Sequence, residues 1–140
     1  MGGPGELDGI LEFPLRNIYR DFHGIPPRGE LMTAAAHADP VLTEFVDRIG
    51  GVRPAIERLV LFGSRARGDH RPDSDYDLLV VVTRRDPLII DALYEGVMDI
   101  LLAHGRLVSL KIIESGELAR LKALGAPFVT RVAAEGIAVG

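Results

Sequence analysis

Between residues 77 and 113 the chain alternates two apolar runs with one capped, amphipathic stretch, and few folds accept that order. Asp77–Thr83 is almost wholly aliphatic, too apolar for a half-exposed strand and suited to the centre of a sheet. Asp86-Pro87 then places a capping carboxylate before a proline, the arrangement that opens helices. Ile89, Ile90, Leu93, Val97, Ile100 and Leu101 recur along one helical face, and Gly105 stops the pattern. In Leu107–Ile113, Val108, Leu110 and Ile112 alternate with Ser109 and Lys111, predicting a strand with one polar face. Strand, helix and strand in this order form a right-handed crossover, so the two strands should lie parallel.

The flanking segments extend this unit. Asp39-Pro40 repeats the capping pair, and Val41, Leu42, Phe45, Val46 and Ile49 follow at helical spacing until Gly50-Gly51. Arg58–Phe62 predicts a strand. Ser115–Leu124 and Pro127–Glu135 predict helices, with Gly136 as a cap and Ile137–Val139 as a last short strand. The expected fold class is α/β (α+β), a mixed sheet flanked by helices, over residues 39–140. Residues 1–38 hold scattered apolar side chains interrupted by Pro14 and predict an arm, partly flexible at its Gly/Pro-rich start.

Charge and composition exclude several roles. The 140 residues carry a formal net charge of −4, whereas nucleic-acid-coating proteins usually show a basic excess. The absence of cysteine removes disulfides, thiolate metal sites and a cysteine nucleophile, and agrees with a cytoplasmic setting. No apolar run approaches the ~20 residues of a membrane span. His23, His37, His70 and His104 show no metal-ligand spacing, and Arg84-Arg85 reads as a solvated pair.

Chemistry concentrates in Leu61-Phe62-Gly63-Ser64-Arg65-Ala66-Arg67-Gly68 and Ser74-Asp75-Tyr76-Asp77-Leu78. A Gly-Ser directly after a strand lets backbone approach a bound phosphate, and Arg65 or Arg67 can add a charge-assisted contact. Asp75 and Asp77 stand two apart at a strand mouth, so their side chains share a face, roughly 6–7 Å apart along the strand. Two unpartnered carboxylates repel and call for a cation. Mg²⁺, which favours carboxylates together with substrate phosphates, suits them. Tyr76 alternates to the opposite face.

These two segments, G-S-x-A-R-G and S-D-x-D-L, resemble the signature of minimal nucleotidyltransferases of the DNA polymerase β superfamily. The likeness continues through Phe128 and Glu135-Gly136-Ile137 and covers roughly Val41 to Val139. It implies that Ser64 holds the terminal phosphates of a nucleoside triphosphate and that Asp75 and Asp77 coordinate catalytic metals. It further implies transfer of a nucleoside monophosphate, AMP from ATP, to a hydroxyl. The resemblance also suggests pairing with a small helical protein of the HEPN type, to which such domains act as antitoxins. The acceptor, the base preference and self-association are not fixed by it.

One position departs from that pattern. Full members of the family carry a third carboxylate on the adjacent strand, where this chain has Ser109, with Lys111 on the same face. Serine is a weak general base; Glu114, at the end of the strand, is the acid that could compensate, although its parity differs from that of Ser109 and Lys111. Two readings therefore stand: a metal-dependent transferase, and a nucleotide- and partner-binding module that acts by contact.

Overall fold

The computed structural model describes residues 39–140; the arm over 1–38, with His23 and His37, lies outside the described residues. The elements are α1 (Pro40–Arg48), a 3₁₀ turn (Arg53–Ala55), β1 (Ile56–Phe62), α2 (Ser64–Arg67), β2 (Tyr76–Val82) and α3 (Pro87–His104). β3 (Val108–Glu114), α4 (Ser115–Ala123), α5 (Pro127–Glu135) and β4 (Ile137–Ala138) complete the chain. Both Asp-Pro pairs cap as the sequence predicts. Asp39 accepts from Val41 N at 2.9 Å and Leu42 N at 3.3 Å, and Asp86 accepts from Leu88 N at 2.8 Å.

The four strands form one mixed sheet in the order β3-β2-β1-β4. β2 and β3 run parallel, joined through α3, while β1 is antiparallel to both β2 and β4. β2 occupies the interior, and Leu78, Leu79, Val80 and Val81 are fully buried on its two faces. Helices cover both sides. Tyr76, Leu78 and Val80 face a core shared with Phe45 of α1 and Leu93 and Ile100 of α3. Leu79 and Val81 face Leu118 of α4 and Val129 and Val132 of α5. Each buried aliphatic or aromatic side chain of this kind contributes about 1.5–3 kcal/mol. Gly96 permits the close approach of α3 to α1, since a Cβ there would lie 3.0 Å from Ile49 Cγ2 and 3.2 Å from Phe45 Cε1.

Strand ends shift slightly from expectation. β1 begins at Ile56, two residues early, because an irregularity in pairing between Ile56 and Arg58 keeps both Ile56 and Leu59 in one core. β2 begins at Tyr76, which is buried on the face opposite Asp77. Among the described residues no helix is long and apolar enough to cross a membrane.

Candidate functional site

The site begins where β1 ends. Gly63 has φ 76° and ψ −159°, a conformation open to glycine and strained for other residues. Phe62 pairs with Asp77 as the last rung between β1 and β2, which brings Gly63 against that carboxylate. A Cβ on residue 63 would sit 2.5 Å from Asp77 Oδ2. The turn and the acid are thus in contact, with room for backbone alone between them.

Beyond Gly63 the chain makes a single helical turn. The Ala66 and Arg67 N–H groups both donate to Gly63 O at 3.1 Å, and those of Gly68 and Asp69 donate to Ser64 O. The Ser64 and Arg65 N–H groups have no acceptor among the described residues. One turn is too short for an appreciable macrodipole, so these two donors and the Ser64 hydroxyl are what the turn offers an anion.

The two carboxylates differ. Asp75 is exposed just before β2, while Asp77 is partly buried as the second residue of the strand. Burial raises the Asp77 pKa above its ordinary value, and the negative charge of Asp75 raises it further. Arg67 pulls it the other way. No hydrogen bond or ion pair to either carboxylate is formed among the described residues. A partly buried anion beside a second anion is costly until a cation joins them. Mg²⁺ fits this donor set: Asp75 and Asp77 would hold it, with phosphate oxygens and water completing its shell. Among the described residues no group of three or more His, Asp or Glu side chains is placed to hold a metal ion.

The expected third acid is replaced as the sequence suggests. Asp77 pairs with Ser109 across β2 and β3, and Lys111 pairs with Leu79 two rungs further on. The Lys111 ammonium lies 5.2 Å from the centre of the Phe128 ring, which meets Phe62 edge-on at 5.3 Å. Glu114 cannot substitute for the missing acid, which corrects the idea that it compensates. It pairs with Val82 at the other end of the ladder, roughly 16 Å from Ser109 along the strand. There its Oε2 accepts from Arg85 N at 2.8 Å.

The two arginines of the turn serve different partners. Arg65 turns inward: its Nε donates to Ser74 O and its Nη2 to Pro72 O, both at 3.0 Å. Its guanidinium also lies 4.0 Å from the Tyr76 ring centre. Arg67 pairs outward with Asp69 at 3.2 Å and with Glu135 of α5 at 2.9 Å. Sequence reasoning missed the Tyr76 hydroxyl, which donates to Asp39 Oδ2 at 2.8 Å and ties the site to the cap of α1. Burial and this bond push the Tyr76 pKa up to about 12. His70 is exposed on the loop, and His104 contacts Glu44 at 2.7 Å between α3 and α1. Arg85, read as solvated, donates to Ile112 O at the open edge of β3. It borders a cleft of about 580 Å³ along that edge, lined also by Lys111 and Glu117 and separate from Gly63 and Asp77.

Known proteins place the chain in a family. The chain matches the nucleotidyltransferase domain family over residues 41–126, and it belongs to that family. It is 35% identical over 81 residues to a Methanocaldococcus jannaschii protein named "putative protein adenylyltransferase", covering 57% of this chain and 76% of that one. A solved structure named a "putative nucleotidyltransferase", from Sulfolobus solfataricus, aligns with a TM-score of 0.42 at 25% identity, over 66% of this chain and 84% of that one.

Proposed function

We propose that the domain binds ATP with Mg²⁺ between the Gly63–Ser64 turn and the Asp75–Asp77 pair and transfers AMP to a protein hydroxyl. The observation that carries this reading is the contact between Gly63 and the Asp77 carboxylate, which has no hydrogen-bond or ion-pair partner among the described residues. It sets a glycine-opened backbone turn beside a partly buried acid. Transfer forms a bond from the acceptor oxygen to the α-phosphorus and breaks the bond from that phosphorus to the bridging oxygen, releasing pyrophosphate. Mg²⁺ when bound supplies neutralising charge for the phosphates and both carboxylates. The Ser64 hydroxyl and the Ser64 and Arg65 N–H groups orient the phosphate tail. With Ser109 opposite Asp77, no side chain on β3 is placed as a base there, and the acceptor proton passes to solvent or to a group on the acceptor protein.

Family membership supports nucleotidyl transfer, and the name of the archaeal relative supports AMP as the group and protein as the acceptor. We assign the acceptor to a helical partner of the HEPN type, neutralised by the modification in the cytoplasm. Calorimetry tests the site: Asp75→Asn with Asp77→Asn should abolish Mg²⁺-dependent ATP binding and leave the circular dichroism spectrum unchanged. Metal-dependent affinity equal to that of the parent would refute the assignment.

Ser109 favours a second reading, in which the domain keeps nucleotide and partner binding and acts by contact. Pyrophosphate release with labelled ATP and the partner separates the two. Stable binding without release selects contact.

A further inference from the structure

Among the described residues the Arg65 side chain makes three contacts, and each falls on the stretch from Pro72 to Tyr76 that leads into β2 and carries Asp75. Ser74, whose carbonyl it holds at 3.0 Å, immediately precedes Asp75. Tyr76, whose ring it covers at 4.0 Å, stands between Asp75 and Asp77. Pro72, whose carbonyl it holds at 3.0 Å, lies inside the turn closed by Ser74 N to Arg71 O and by Arg71 N to Ser74 Oγ. The side chain itself rises from the residue after Ser64, so it spans directly from the phosphate-facing turn to the carboxylate loop. Tyr76 continues the connection to Asp39, whose other oxygen caps α1.

We propose that Arg65 is a positioning residue, a brace that fixes the separation between the Gly63–Ser64 turn and the Asp75–Asp77 pair. The chemistry requires arginine. A planar guanidinium can donate in its plane to two carbonyls while its face covers an aromatic ring, and an ammonium cannot do both. A guanidinium engaged in this way has its Nε and Nη2 committed to main-chain carbonyls. Its charge therefore acts on the loop rather than on the nucleotide. The consequence for metal binding rests on the nucleotide reading above; the brace itself does not.

Two measurements on Arg65→Lys and Arg65→Gln test the proposal. The first needs no ligand: hydrogen exchange at the Arg71, Asp73, Ser74 and Asp75 amides should quicken in both variants, with exchange in the β1 and β2 core unchanged. The second is calorimetric: the Mg²⁺ concentration for half-maximal ATP binding should rise about 10–100-fold in both, as when groups supporting metal ligands are removed. A direct phosphate contact predicts otherwise, since lysine would then bind like the parent, glutamine alone would fail, and loop exchange would stay the same. That pattern overturns the brace, as does unchanged loop exchange in either folded variant. If one substitution prevents folding, the other decides by the same criteria. A parent that does not bind ATP with Mg²⁺ refutes the nucleotide reading and leaves the brace to be judged by exchange alone.

Discussion

The parallel ladder between β2 and β3 has two ends of opposite character. At the far end Val82 pairs with Glu114, whose carboxylate accepts from Arg85 N, while the Arg85 guanidinium holds Ile112 O. Nearby, Thr83 Oγ1 donates to Glu57. At the near end Asp77 faces Ser109 with no partner for its carboxylate among the described residues, and Asp75 adds a like charge. Both ends carry an acid on a paired strand. What differs is whether the fold satisfies them. An acid that the fold buries in part and leaves uncompensated is where a ligand changes the electrostatics most, and such groups cluster at functional sites.

Glycine substitution should show the contrast most strongly. Gly63 and Gly68 both have positive φ, 76° and 87°, so alanine strains the backbone at either. They differ in surroundings: an added Cβ meets Asp77 Oδ2 at 2.5 Å from residue 63 and nothing within 4 Å from residue 68. Gly63→Ala should lower Mg²⁺-dependent ATP affinity by more than about 100-fold, roughly 3 kcal/mol of lost contact and displaced carboxylate. Gly68→Ala should cost about 1–2 kcal/mol of stability and leave affinity near that of the parent. Equal affinities for the two variants, measured by calorimetry, would show that the phosphates bind elsewhere.

A carboxylate introduced at the near end should act next. Ser109→Asp places an acid opposite Asp77, and a positioned general base is typically worth 10²–10⁴-fold in rate. Lys111, two residues along the same face, would compete for that acid. The double variant Ser109→Asp with Lys111→Val should therefore release pyrophosphate faster than the single variant, and both faster than the parent, with the partner protein present. A parent that turns over rapidly and is slowed by the new acid would place acceptor activation on the partner.

Much of this contrast is legible in the sequence, but unevenly. The caps at Asp39 and Asp86 and the parallel β2–β3 pair follow from local spacing, since each depends on residues close in the chain or on one crossover, whereas the placing of Ser109 beside the acids comes from the family resemblance and the register bears it out. The start of β1 was hidden because Glu57 and Arg58 interrupt its alternation where the pairing is irregular. The position of Glu114 at the far end is fixed by register, and parity alone indicated only that it differs from Ser109 and Lys111. The sequence offers Arg65 or Arg67 as a phosphate contact because both follow Gly-Ser. The acceptors of Arg65 are main-chain carbonyls, which leave no mark in a sequence. Glu135, the partner of Arg67, lies 68 residues away, and Asp39, the partner of Tyr76, lies 37 away.

Tyr76 offers a smaller effect, read through pH. Its phenol ordinarily ionises near 10 and is raised to about 12 in the fold by burial and by the Asp39 carboxylate. The neutral form is the one the fold favours. Its contribution is therefore fully present below pH 10 and is lost as pH climbs through about 12. Between those values the parent should lose stability more steeply than Tyr76→Phe, in which nothing ionises at that site. Stopped-flow ultraviolet absorbance, read before unfolding, should show a late phenolate step near pH 12 in the parent and none in the variant. Equal stability slopes for the two proteins would place the titration outside this contact.

The smallest effect belongs to the far end. Glu114→Ala removes one exposed hydrogen bond to Arg85 N and leaves Asp75, Asp77 and Ser109 in place. One such bond contributes about 0.5–1.5 kcal/mol, with the lower part of that range fitting a solvent-facing pair. Thermal melting should therefore fall by a few degrees at most, on the scale of about 4–8 °C per kcal/mol for a domain near 100 residues. Affinity for ATP with Mg²⁺ and the rate of pyrophosphate release should match those of the parent. Glu114 is the remaining carboxylate of β3, so the variant asks directly whether an acid on that strand takes part. A fall in release rate with unchanged melting would mean that the far end reaches the chemistry, and the opposition between the two ends of the ladder would no longer hold. Unchanged release leaves the β3 contribution to Ser109 and Lys111, where a single introduced acid has the most to change.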